Sequence, residues 1–269
     1  MEVSADEVEY DGESPVYSNS GKPVLIYLPG VHGDSTLFTS FRVKAVQELE
    51  VIEFAYPRNT CWSLEDYAQF VFEELRQYDL KRGWILAESY SSQVAWTMLA
   101  LASGANFAIE GIVLAGGFVR YPIPVLAAWA ACAMEVVPHS IWKILFSIYG
   151  QYARFRHRHA PETKAAVDEF IRRRTREDLV AMVHRIKLIV ENDPSEIARF
   201  ANCPVYLLAG VFDPVVFAWP VLAWLRGNCP GFRGHRFIWP ADHNVLGTEP
   251  GKALGQILDW IRAQPPDCS

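Results

Sequence analysis

Three serines, Ser89, Ser91 and Ser92, fall within four positions of the stretch LAESYSSQVA, residues 86–95. An apolar run precedes them and an apolar, helix-like pattern follows. A serine hydroxyl becomes an effective nucleophile only when an adjacent imidazole takes its proton and a buried carboxylate orients that imidazole. The chain supplies both groups downstream: Asp213 in AGVFDPVV and His243 in PADHNVLGTEP. Ser89 is the serine that stands directly at the end of the apolar run, with a small residue two positions away on each side, Ala87 and Ser91. Small neighbours are required where a strand turns sharply into a helix, because the two backbones come close together. Ser91 and Ser92 would open the helix that follows.

The groups that must carry these residues read as short apolar strands alternating with helices. PVLIYLPG (23–30), VIEFAYP (51–57), GWILAES (83–89), EGIVLAGG (110–117), CPVYLLAG (203–210) and HRFIWP (235–240) have strand character. FTSFRVKAVQELE, SLEDYAQFVFEELRQY, YSSQVAWTMLALAS, VVFAWPVLAWLRG and KALGQILDWIRAQ have helical patterns. Such alternation predicts a mostly parallel sheet covered by helices on both faces. Reactive groups then belong at the carboxyl ends of the strands, which is where Ser89, Asp213 and His243 fall. Asp193 and Asp242 are lesser candidates for the acid, since neither follows the fifth strand. Residues 119–200 contain helix-like segments and no strand, which predicts a helical cap inserted into a core of residues 1–118 and 201–269.

From about residue 22 to 264 the chain resembles the α/β-hydrolase superfamily, in its serine-nucleophile branch with a helical cap. The order serine, acid, histidine is that family's order. LLAGVFDPVV and DHNVLGTEP match its acid and histidine regions. LPGVHGDSTLFTSF is similar to its L-H-G-F-x-G-D segment, with Pro29 in place of the usual histidine and Gly30 keeping the glycine. Ala87 and Ser91 stand where the family's G-x-S-x-G elbow has glycines. The resemblance implies hydrolysis of a carboxylic ester or related acyl bond through an acyl-enzyme, with Ser89 attacking, His243 as base and then acid, and Asp213 orienting His243. It also implies that the backbone N–H groups of Val31 and Tyr90 form the oxyanion hole. His32 lies one residue beyond Val31, as a packing residue beside the site or as a contact to substrate.

A thioesterase, a lipase and a carbon–carbon bond hydrolase of the same fold share these expectations. A non-catalytic receptor on the fold would have no need of all three triad residues. No cofactor is expected, because side chains supply the chemistry, and no metal-ligand spacing or phosphate loop is present. The formal net charge of -6 gives no reason to expect a nucleic-acid partner. Cys61, Cys132, Cys203, Cys229 and Cys268 are scattered, without a C-x-x-C pair, and read as reduced thiols of a cytoplasmic protein. The acidic, polar start lacks a signal-peptide pattern. No apolar run reaches the roughly 18–20 residues of a membrane span, which leaves interfacial membrane contact open. The expected partner is a small molecule, and an apolar acyl or aromatic part would suit the aromatic-rich start of the cap. Two basic stretches, RFRHRH (154–159) and IRRRTRED (171–178), read as a solvated helix face, or alternatively as a site for an anion.

Overall fold

The computed structural model describes residues 21–138 and 161–263, together with 141, 142, 144, 148 and 151. The polar leader (1–20) and the RFRHRH stretch therefore lie outside the described residues. The strands are β1 (Val24–Leu28), β2 (Glu50–Glu53), β3 (Arg82–Glu88), β4 (Ala108–Ala115), β5 (Val205–Gly210) and β6 (Phe232–Ile238). They form one sheet in the order β2-β1-β3-β4-β5-β6, with every pairing parallel.

Alternation along each strand divides the core in two. Ile26, Leu28, Ile85, Ala87, Ile112, Leu114 and Leu207 face one side. There they meet α2 (Leu64–Gln77), α3 (Ser91–Ala105) and α8 (Ala218–Asn228). Leu25, Tyr27, Trp84, Leu86, Val113, Ala115 and Leu208 face the other side, against α1 (Thr39–Ala45) and α10 (Pro250–Arg262). Both faces are thus covered, as near-continuous apolar strands require. Helix α2 starts at a reciprocal cap, Ser63 accepting from the Asp66 N–H while the Asp66 side chain accepts from the Ser63 N–H. Helix α3 is apolar on nearly all sides, and every residue from Ser91 to Met98 is buried, so it sits inside the fold rather than on it.

The strand order places a topological switch between β1 and β3. The chain leaves β1 toward β2 on one side and leaves β3 toward β4 on the other. In open α/β sheets the crevice that binds ligands lies outside the carboxyl ends at such a point. Here the loop after Leu28 and the turn after Glu88 flank it, with Leu28 paired to Ala87.

Between β4 and β5 the described elements are helices: α4 (Pro124–Val136), α5 (Pro161–Arg173), α6 (Arg176–Glu191) and α7 (Ser195–Arg199). Helix α4 packs on α6, while Val167 and Phe170 of α5 pack on Leu37 beside the loop after β1. The basic IRRRTRED stretch is not one solvated face. Arg172 and Arg173 pair with Glu169 on the outside, whereas Arg174 is buried against Asp34. A short helix, α9 (Val245–Thr248), follows the loop that carries His243. No helix among the described residues is long and apolar enough to cross a membrane.

Gly210, at the end of β5, allows that loop to approach. A Cβ there would lie 2.1 Å from the Asp242 carbonyl oxygen and 2.5 Å from that of Ala241. Gly104, near the end of α3, has open space around its Cβ position. Gly210→Ala is expected to destabilise the fold by about 2–4 kcal/mol, and Gly104→Ala to stabilise it by about 0.5–1 kcal/mol. Urea denaturation of both variants checks the pair.

Candidate active site

The site begins with a backbone constraint. Ser89 joins the end of β3 to the start of α3 in the left-handed region, at φ +50°, a conformation that L-residues other than glycine adopt at a cost of about 1–2 kcal/mol. Its N–H donates to the Ala115 carbonyl at 2.9 Å and its carbonyl accepts from the Ser92 N–H at 3.0 Å, which lock the turn at both ends. The small residues on either side, Ala87 and Ser91, are both fully buried. The structure therefore has the sharp strand-to-helix turn without the flanking glycines.

From this turn the Ser89 hydroxyl points at His243, with Oγ 2.9 Å from Nε2. On the other side of the ring, Nδ1 lies 2.8 Å from Asp213 Oδ2. A carboxylate at Nδ1 requires the proton there, so Nε2 is left as the acceptor for the serine O–H. Asp213 itself is held by its other oxygen, Oδ1, which accepts from the N–H groups of Val215 at 2.8 Å and Val216 at 2.9 Å. One carboxylate thus closes its own turn and orients the imidazole. Asp242 instead accepts from the Asn244 N–H at 3.0 Å, and Asp193 lies at the surface near Arg120. Gly116, at φ +58°, lets the sheet approach the imidazole; a Cβ would stand 3.2 Å from the His243 ring.

Burial alone would lower the His243 pKa, but the hydrogen bond and charge of Asp213, helped by Glu88 and Asp242, reverse this and raise it above 6.5. Glu88, the residue before the serine, is buried and accepts from the Tyr27 hydroxyl. His32 shows the opposite balance. Burial lowers its pKa, Glu88 and Asp34 only partly offset this, and its ring stands edge-on to Phe170 of α5 at 5.2 Å. Its Nε2 has no partner among the described residues.

Val31 and Tyr90 follow adjacent strands, β1 and β3. Neither N–H donates to a backbone carbonyl among the described residues. Tyr90 caps the N-terminus of α3, where free N–H groups and the helix dipole favour a negative charge. Its ring is buried and packs on Tyr56 and Tyr67. Among the described residues no group of three or more His, Cys, Asp or Glu could hold a metal.

No protein-family model matches the chain, and no curated protein sequence matches it. Solved structures do. The esterase RhEst1 from Rhodococcus sp. ECU1013 superposes with a TM-score of 0.71 at 16% identity, covering 92% of this chain and 93% of that one. The enol-lactonase from Burkholderia xenovorans LB400 gives 0.70 at 13% identity, covering 90% and 92%. MenH from S. aureus gives 0.69 at 14% identity, covering 89% and 93%. The chain has the α/β-hydrolase fold.

On this α/β-hydrolase fold, three residues that sequence reasoning left aside support the elbow turn and the loop after β1. Glu88 is hidden in the apolar run that precedes it. Tyr56 donates to Ser91, Oη to Oγ at 2.7 Å, because the Ser91 hydroxyl is already committed to the Pro29 carbonyl. Arg185 comes from α6 and is 1% exposed. The sequence did carry a sign of it: Arg185 occupies the same helical stripe as Ala181 and Ile189, which are buried.

The two histidines are expected to titrate on opposite sides of 6.5, His243 above and His32 below. Their contributions to stability then have opposite signs. That of His243 is present below pH 6.5 and lost as the pH rises through its folded value. That of His32 is present above pH 6.5 and lost as the pH falls through its folded value. Imidazole titration by NMR checks both, and Asp213→Asn is expected to bring the His243 value down.

Proposed function

We propose that the chain is a serine hydrolase that cleaves a carboxylic ester or a related acyl bond through an acyl-enzyme. The observation that carries this reading is the unbroken hydrogen-bonded line Asp213–His243–Ser89, at 2.8 and 2.9 Å, ending on a serine at φ +50°. The esterase and enol-lactonase among the structural relatives act on bonds of this class, as their names state, and support it.

In this mechanism Ser89 Oγ attacks the acyl carbon while its proton passes to His243 Nε2. The imidazolium that results is stabilised by Asp213, which stays ionised. The carbonyl oxygen becomes an oxyanion and is met by the N–H groups of Val31 and Tyr90. His243 then gives its proton to the leaving alkoxide, and the acyl group stays on Ser89. Water, deprotonated by the same nitrogen, attacks the acyl-enzyme, and the acid leaves with Ser89 restored. The side chains supply every proton transfer, so no cofactor enters.

In the same reading, residues 119–200 form a cap over the carboxyl end of the sheet. His32, its pKa lowered by burial and its ring packed on Phe170, borders the site without serving as base. A small-molecule substrate with an apolar acyl or aromatic part fits the proposal, in a cytoplasmic setting.

Ser89→Ala is expected to lower kcat by about 10³-fold or more and to abolish labelling by a fluorophosphonate. Asp213→Asn is expected to keep the fold and cost about 10⁴-fold, because the wrong histidine tautomer is then favoured. Turnover of an acyl-ester panel with both variants checks this; unchanged turnover in Ser89→Ala would falsify the assignment.

A further inference from the structure

Resting on that reading, we propose that Ser91 and Arg185 are positioning residues of the oxyanion loop. Ser91 acts from the elbow, and Arg185 acts from the helical segment between β4 and β5. Three consecutive carbonyls of the loop are each held by a specific donor. The Pro29 carbonyl accepts from the Ser91 hydroxyl, the Gly30 carbonyl from the Gly33 N–H at 2.9 Å, and the Val31 carbonyl from Arg185 Nη1 at 3.0 Å. In a trans peptide the C=O and N–H point in opposite directions. Turning the Gly30 carbonyl toward Gly33 therefore turns the Val31 N–H away from it, and the tethers on either side stop that peptide from rotating.

Arg185 is fitted to this task. Its Nη2 donates to the Pro57 carbonyl at 2.8 Å and its Nε to the Tyr67 hydroxyl at 3.3 Å. Its guanidinium faces the rings of Tyr56 and Tyr67. Gly33 leaves it room, since a Cβ there would lie 2.5 Å from Nη1. Among the described residues no carboxylate pairs with it in a salt bridge. A buried cation held by two carbonyls and a hydroxyl, without a carboxylate opposite it, is expensive to desolvate, and it places positive charge on the loop that must meet an oxyanion. Ser91 likewise accounts for the missing elbow glycine: a glycine there could not hold Pro29, and its own hydroxyl is braced by Tyr56.

The test uses the full chain, p-nitrophenyl butyrate and a fluorophosphonate probe. In labelling, an Oγ–P bond forms on Ser89, the P–F bond breaks, fluoride leaves, and the proton goes to His243. The phosphoryl oxygen must enter the same hole. Ser91→Ala is expected to lower kcat and the labelling rate together by about tenfold, with KM within about twofold. Arg185→Met is expected to lower both by about 10²-fold, the size of losing one oxyanion donor, and Arg185→Lys to recover part of that. The proposal is overturned if Ser91→Ala and Arg185→Lys, melting like the wild type, label at the wild-type rate, or if the losses fall on KM alone. Should Arg185→Met fail to fold, Ser91→Ala decides. A wild type that labels at Ser89 but turns over no acyl ester overturns the esterase reading, and the labelling rates still judge Ser91 and Arg185. A wild type that does neither overturns both.

Discussion

A left-handed residue wedged between a buried strand and a buried helix sets the terms for everything around it. Ser89 holds φ +50° between neighbours that are themselves fixed in the core. Its N–H is taken by Ala115 on the next strand, and the helix it opens is locked into the core from its first residue. The strain is held where packing over-determines the backbone, as backbone strain generally is. It also aims the hydroxyl out of the sheet and toward the imidazole. Close approach then becomes the rule for the whole end of the sheet: Gly116 against His243, Gly210 against the Asp242 carbonyl, Gly33 against Arg185.

The charges near the serine follow from the same crowding. His243, Glu88, Asp213 and Asp242 share a small volume, and negative neighbours hold the imidazole basic against the effect of burial. His32 lacks so favourable a set, and its pKa is lowered by burial, with Arg174 and Arg185 adding to that effect. Asp34 sits between the two regimes. Burial alone would raise its pKa, yet His32 and Arg174 bring it down to about 2. The pKa values of two histidines are thus moved in opposite directions by their surroundings, not by their own chemistry.

Much of this could be read from the chain. The buried strands announced themselves as apolar runs ending in turns, and Ser89, Asp213 and His243, which the structure brings together, each follow such an end. β2 proved shorter than VIEFAYP suggests: its register with β1 ends at Glu53 opposite Tyr27, and beyond Phe54 the chain bonds to the loop after β1 instead, the Tyr56 N–H donating to the Gly33 carbonyl. β6 begins at Phe232, before its apolar signal, since as an edge strand it pairs through FRGHR with only partial burial. Arg185 was hidden for another reason. It lies 154 positions from Val31, and nothing local in α6 reveals which carbonyl its guanidinium will find. Ser91 looked like a substitute for glycine chosen for size, whereas its hydroxyl is bonded on both sides.

The helices between β4 and β5 are joined to the loop after β1 by more than apolar contact. Phe170 meets His32, Arg174 meets Asp34, and Arg185 meets the Val31 carbonyl. An engineer who grafted a different helical segment into this position, hoping to alter which molecules are admitted, would remove all three attachments in one exchange. The transplanted piece would have to bring its own basic groups at the same places, or the chimera would be left with Asp34 unneutralised and an untied loop. The helical segment and the geometry of this loop are therefore inherited together in this chain, and they have to be redesigned together.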